Sequence, residues 1–164
     1  MSREIPLSRG MVAIVDSDDY DTLVAAGSWH ASPSDRTFYA RRTIYLDRGK
    51  FTSVAMHHVI FGRKYVDHVN GNGLDNRKEN LRPATSAENA ANRGLRSDSA
   101  NPYKGIERIS SLANPWRARI SVLGETRSLG AFATPEEAAR AYDAAAIEAW
   151  GEYARLNFPK ENAV

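Results

Sequence analysis

Thr134-Pro135-Glu136-Glu137 is the sharpest structural punctuation in this sequence. A threonine at the cap, a proline at the first helical position and a glutamate three residues after the cap together define a helix start. The run that follows, Ala138 to Trp150, is alanine-rich, and Gly151 stops it. Such a helix needs an apolar surface to lie on, and the residues just upstream supply one. Lys104 to Ile109, Trp116 to Leu123 and Glu125 to Phe132 read as three short strands. In the second of these, Trp116, Ala118 and Ile120 alternate with Arg117, Arg119 and Ser121. One face therefore goes to the helix, and the other presents two arginines to solvent or a ligand. The carboxy-terminal part is expected to be a three-stranded antiparallel sheet packed on one helix.

The middle of the chain is built differently. Val66-Asp67-His68-Val69 reads as a short strand. Asn70-Gly71-Asn72-Gly73 is a turn cluster, because Asn and Gly tolerate positive φ. Leu81-Arg82-Pro83-Ala84-Thr85 reads as a second strand that Pro83 confines to an edge or an early end. Ser86 is a natural N-cap for a helix over Ala87 to Arg93, which Gly94 ends. The order is strand, long loop, strand, helix. Residues 1 to about 60 alternate apolar stretches such as Met11 to Val15 and Phe38 to Ala40 with turns, a pattern of short strands. Asp16-Ser17-Asp18-Asp19 is placed to cap a short helix running toward Trp29. Val54 to Phe61 reads as an apolar helix or strand leading into Gly62. Leu95 to Pro102 is polar and aperiodic, and reads as a linker. The expected fold class is α+β, divided into residues 1–62, 63–96, a linker 97–102, and 103–160.

Composition excludes several functions. There is no cysteine, which removes disulfides and thiolate zinc sites. Hydrophobic residues make up 42%, enough for a folded protein and not a disordered one. No apolar run approaches the roughly 18 residues a membrane span needs. The start, MSREIPLSRG, has no apolar core like a signal peptide's. A cytoplasmic protein without a membrane partner is expected. The formal charge of +2 names no partner by itself, but it is unevenly spread. Residues 60–130 carry 12 Lys/Arg against 7 Asp/Glu, whereas residues 131–164 carry 3 against 6, so the basic excess lies where the motifs fall.

Cutting a phosphodiester bond takes a base to activate water, a cation for the phosphoryl oxygens, and stabilisation of the leaving oxygen. Histidine, with a reference pKa of about 6.5, is a base suited to neutral pH. Carboxylate and amide oxygens suit a hard cation. Val66-Asp67-His68-Val69-Asn70-Gly71, Leu74-Asp75-Asn76-Arg77, Glu79-Asn80-Leu81-Arg82 and Ser86-Ala87-Glu88-Asn89 together resemble an HNH endonuclease of the phage and homing type. The resemblance implies a ββα-metal nuclease core. It implies His68 as general base, Asp67 and Asn89 as ligands of Mg²⁺ or Mn²⁺, and Asn80 as the group orienting the imidazole. Asn80 follows His68 by 12 residues and Asn89 by 21, which fits that pattern. Asn at position 89 in place of the last His makes this an H-N-N form and favours a hard-metal oxygen site over zinc. Met56-His57-His58-Val59-Ile60-Phe61-Gly62 is similar to the segment that precedes the motif in these enzymes, which implies a contact of His57 with the scissile phosphate. Arg77 and Arg82 are candidates for backbone phosphates, with plain solvation as the alternative. A calcium loop over Asn70 to Asp75 is rejected, because the ligand types and the glycine miss the EF-hand positions. Adjacent residues point to opposite sides of a regular strand, so Asp67 and His68 serve one site only where the chain bends.

Tyr103-Lys104-Gly105-Ile106, Trp116-Arg117-Ala118-Arg119-Ile120, Leu129-Gly130-Ala131-Phe132, Glu136 to Ala145 and Leu156-Asn157-Phe158-Pro159 together resemble the APETALA-type, or ethylene-response-factor, DNA-binding domain. That family lays its three-stranded sheet in the major groove with the helix behind it. The resemblance implies that Lys104, Arg117 and Arg119 face DNA, with Arg108 and Arg127 joining them. Glu107 stands where an arginine is usual, and Ser128 where plant members carry tryptophan, so the plant target sequence does not carry over. Trp116, Phe132, Tyr142, Trp150 and Phe158 are read as core.

The two resemblances imply a small, phage-type homing endonuclease that acts on double-stranded DNA at a preferred site and leaves 3′-hydroxyl and 5′-phosphate ends. One active site in a monomer nicks; a homodimer or sequential nicks cut both strands. The alternatives are a catalytically silent DNA-binding regulator built on the same scaffold, a structure-specific nuclease without sequence preference and, more distantly, an RNA-processing nuclease.

Overall fold

Ile5 pairs with Ala13 across a tight hairpin, and both are buried. This hairpin opens a computed structural model that describes residues 1–34, 36–95, 98–110 and 113–159. The chain divides into two compact units, Met1–Thr85 and Ser86–Val164, each with its own core. Arg96 and Ser97 of the expected linker, and Lys160 at the expected end of the last segment, lie outside the described residues.

In the first unit β1 (Ser2–Pro6) and β2 (Val12–Asp16) form the hairpin, and α1 (Ser17–Ala25) follows directly. Asp16 sits at the N-cap position but does not cap; its Oδ2 accepts from the Lys78 backbone N–H at 2.8 Å. The first aspartate of the run thus ties β2 to a loop 62 residues away in sequence. β3 (His30–Pro33), β4 (Phe38–Tyr45) and β5 (Phe51–Ala55) make a three-stranded antiparallel sheet in that order. The apolar stretch read as helix or strand is both: β5 ends at Ala55 and α2 (Met56–Phe61) begins at Met56. Gly62 ends α2 in the left-handed region, as its position before a turn requires.

β6 (Val66–His68) and β7 (Leu81–Pro83) pair antiparallel, each shorter than the sequence suggests. Val69 and Asn70 already belong to the turn. The loop between β6 and β7 is stitched to the N-terminal strands. Ile14 N–H donates to Leu74 O at 2.9 Å, Asn76 N–H donates to Ile14 O at 2.7 Å, and Gly73 N–H donates to Thr37 Oγ1 at 3.0 Å. Gly73 has a reason to be glycine. A Cβ there would lie 2.5 Å from Phe38 O and 2.5 Å from the Tyr39 ring, so any side chain would lift the loop off β4.

In the second unit α3 (Ser86–Ala91) is followed by the sheet β8 (Ile106–Arg108), β9 (Trp116–Val122) and β10 (Glu125–Phe132). All its pairings are antiparallel, with β9 in the centre. Leu129 and Phe132 both pack on the core although they lie three positions apart, an odd offset that a regular strand forbids. A bulge between Ser128 and Gly130 resolves this by inserting one residue and switching the alternation. α4 (Pro135–Trp150) carries the expected capping box: Glu137 N–H donates to Thr134 Oγ1, and Thr134 N–H donates to Glu137 Oε2, both at 3.2 Å. Its inner face is Ala138, Ala139, Tyr142, Ala145 and Ala146, and the four alanines bring the helix close to Ile106, Ala118 and Ile120. Trp116, Phe132, Trp150 and Phe158 pack around the same core.

Candidate active site and nucleic-acid interface

β6 is only three residues long, and all three are buried. Its register places Asp67 opposite Arg82 and His68 opposite Leu81. Asp67 is 4% exposed, and Arg82 donates to its Oδ2 from Nε at 3.0 Å and from Nη2 at 2.9 Å. The arginine expected on a phosphate therefore balances the charge of Asp67. Arg77 is also committed: Nε and Nη2 donate to the two carboxylate oxygens of Asp75 at 2.8 and 2.7 Å, and Nη1 reaches Glu79. This fork–fork clamp pushes the Asp75 carboxyl below its ordinary range. Both arginines of the segment thus engage carboxylates next to the site.

His68 is 4% exposed. Its Nε2 lies 3.4 Å from Asn76 Oδ1, and Asn76 is fully buried. Around the imidazole stand the rings of His57 at 4.7 Å, edge-on, and Tyr39 at 5.7 Å between centroids. His58 stacks edge-on against His57 at 4.2 Å. Burial pushes the His68 pKa down, while the Asn76 hydrogen bond and the charges of Asp67 and Asp75 pull it back up. His57, 6% exposed, is pushed to about 2 by burial first and then by the neighbouring His68, His58 and Arg41. Both rings are therefore neutral near pH 7. Two buried polar atoms in this cluster, His57 Nδ1 and Asn76 Nδ2, make no hydrogen bond among the described residues.

Asn80 is buried and spends its amide on the loop: Oδ1 accepts from Asn70 N–H at 3.0 Å, and Nδ2 donates to Asp75 O at 2.8 Å. It shapes the turn after β6, in which Asn70 and Asn72 also accept backbone N–H groups with their side chains. The amide that meets the imidazole is that of Asn76. Asn76 lies inside the motif with no role that its sequence context assigns, and Tyr39 carries no signal beyond its place in a strand. Asn89 is exposed on α3, in the second unit. Among the described residues no group of three or more His, Cys, Asp or Glu side chains gathers as a metal cluster.

On the second unit's sheet, Arg117 and Arg119 are exposed on the face away from the core. Arg108 pairs with Trp116, and Arg127 with Ile120. These two arginines lie on the helix side of the sheet, which corrects the expectation that all four share one face; Arg127 pairs there with Glu148 of α4 at 3.8 Å. Lys104 donates from Nζ to Ala91 O at the end of α3 and lies 5.8 Å from the Tyr142 ring.

The chain is 37% identical over 93 residues to an uncharacterized HNH endonuclease of Acanthamoeba polyphaga mimivirus. The likeness covers 57% of this chain and 46% of that protein. It is 41% identical over 64 residues to an ethylene-responsive transcription factor of Arabidopsis thaliana, covering 36% of this chain and 32% of the plant protein. The chain thus spans less than half the length of either relative. No family model matches it. Both resemblances read from the motifs have a counterpart among known proteins. Among the described residues no helix is long and apolar enough to cross a membrane.

Proposed function

We propose that this chain is a divalent-metal-dependent DNA endonuclease that nicks or cuts double-stranded DNA at a preferred site. One observation carries the reading: a buried, neutral imidazole, His68, next to Asp67 on a short strand and met at Nε2 by the Asn76 amide. An amide oxygen only accepts, so the contact calls for hydrogen on Nε2 and leaves Nδ1 as the basic nitrogen. His68 Nδ1 takes the proton from the attacking water. Neutral His57 has one ring N–H to give to a phosphate oxygen and adds no charge there. Arg82 locks the Asp67 carboxylate against β7. The similarity to a named HNH endonuclease supports the same class of reaction.

The donor chemistry fits Mg²⁺ or Mn²⁺. Asp67 offers a carboxylate, a hard donor, and with so few protein ligands the remaining positions would suit water and phosphate oxygens. Asp67 is the residue of the first unit that would hold the ion, which would supply charge stabilisation on the phosphoryl oxygens. The sheet of the second unit, through Arg117 and Arg119, holds the duplex. The likeness to a plant transcription factor supports this part of the reading.

Supercoiled plasmid with Mg²⁺, with and without EDTA, tests the proposal. Wild type is expected to give metal-dependent nicking, and His68→Ala to bind DNA but not cut it. Undiminished cleavage by His68→Ala overturns the base assignment. Binding without cleavage by wild type in both Mg²⁺ and Mn²⁺ replaces the enzyme with a DNA-binding regulator on the same scaffold.

A further inference from the structure

Glu107 lies directly opposite Arg117 in the β8–β9 register. Its Oε1 accepts from Arg117 Nε at 2.7 Å and from Arg117 Nη2, and its Oε2 pairs with Arg119 Nη2 at 3.3 Å. One carboxylate therefore holds two guanidiniums, one on each oxygen. The arginines remain about half exposed, at 44% and 53% for their side chains, while Glu107 is at 24%. Across β10 they face only Ser128 and Ala131. Ser121 and Thr126 beside them bond to each other at 2.6 Å. The two arginines thus stand among short neighbours, with a negative charge set between them.

A face that merely grips phosphates gains from every cation and loses from every anion. Glu107 cancels one of two positive charges, which is the wrong sign for such a grip. Exposed ion pairs also add little to stability. What the carboxylate does is fix the guanidinium plane of Arg117 and tether Arg119 by one nitrogen. Arg117 is held along its Nε–Nη2 edge, which leaves Nη1 and the second N–H of Nη2 as a fork for another acceptor pair. Guanine is read through O6 and N7 by a guanidinium lying in the base plane, so an arginine fixed in advance loses less freedom on binding.

We propose that Glu107 is a specificity-determining positioning residue. It presents Arg117 as a fixed fork, with Arg119 tethered beside it, to guanine edges of duplex DNA, and its charge suppresses sequence-independent binding to phosphates. The inference rests on the reading of this sheet as the DNA-holding face.

The test uses the full chain in EDTA. Binding is measured to a random-sequence duplex and to the duplex that wild type selects from a randomised library, over a range of salt. Glu107→Ala is expected to bind the random duplex more tightly and to steepen the slope of log K against log salt by about 0.9, one phosphate contact. Its preference for the selected duplex is expected to fall about tenfold, the scale of one bidentate base contact. Glu107→Gln removes the charge but keeps an acceptor of the same shape, so it steepens the slope with a smaller loss of preference. Unchanged slope and preference in both variants, with Arg119→Ala still weakening binding, overturns the role of Glu107 and leaves the sheet reading standing. Arg119→Ala without effect on either duplex overturns the sheet reading itself. Glu107→Gln serves where Glu107→Ala fails to fold.

Discussion

At 3.4 Å from His68 Nε2, the Asn76 carbonyl oxygen is placed to favour the tautomer with hydrogen on Nε2. Asn76→Ala is expected to lower kcat about 10- to 100-fold, the range for losing a group that orients an active-site histidine. KM for DNA should change little. Asn76→Asp keeps an acceptor oxygen and should recover most of the rate. Single-turnover cleavage at saturating DNA measures both, and an unchanged rate in Asn76→Ala removes its positioning role. The residue types of this site were legible in the sequence because spacing and type carry them. Which asparagine meets the ring was not. Asn76 and Asn80 are chemically the same side chain four residues apart, and only the path of the loop from β6 to β7 decides between them. That path is set by Ile14, Thr37 and Asp16, far away in sequence.

At the scale of elements, α4 and the sheet it covers were readable because capping, alternation and small-residue periodicity are local signals. The bulge at Leu129 was not, since a bulge answers to the partner strand. The contact between Gly105 and Tyr142 was equally hidden. Gly105 sits at φ +76, and a Cβ there would come within 1.9 to 2.6 Å of the buried Tyr142 ring. Gly105→Ala therefore combines left-handed strain with overpacking, and a loss of roughly 2–5 kcal/mol in stability is expected. Urea unfolding followed through the second unit's tryptophans checks it; a loss under about 1 kcal/mol would show that the ring moves aside freely. The unit also uses Asp143, buried at the middle of α4, as a tie. Its oxygens accept from the backbone N–H groups of Asn157 and Phe158 and from the Asn157 amide, and Asn157 in turn bonds both backbone groups of Lys104.

For the whole molecule, all four histidines lie in the first unit, and His57 and His68 are buried there with depressed pKa values. In the unfolded chain these rings bind protons below about 6.5; the folded unit refuses them, His57 down to about 2. Stability of the first unit therefore falls as pH drops below about 6.5, by up to about 1.4 kcal/mol per pH unit for each such ring. The clamp on Asp75 acts in a separate window, below the ordinary aspartate range. Calorimetry between pH 7 and pH 5 should show the first unit's transition moving down in temperature. The slope should be shallower in His57→Gln, and an identical slope would show that His57 is not the source.

The sequence by itself determined the chemistry available to this protein. It specified an aspartate and a histidine on a short strand, amides 12 and 21 residues after that histidine, two arginines on one face of a strand, and a capped alanine-rich helix to back it. These are decided by residue type and by periods of a few residues. Only the tertiary structure decided who pairs with whom. It gave Arg82 to Asp67, Arg77 to Asp75 and Asn76 to His68, moved Arg108 and Arg127 to the helix side of the sheet, and set Glu107 between Arg117 and Arg119. The reason is physical. Hydrogen bonds and ion pairs reach only about 3 Å, and folding brings together at that distance groups that no sequence pattern couples.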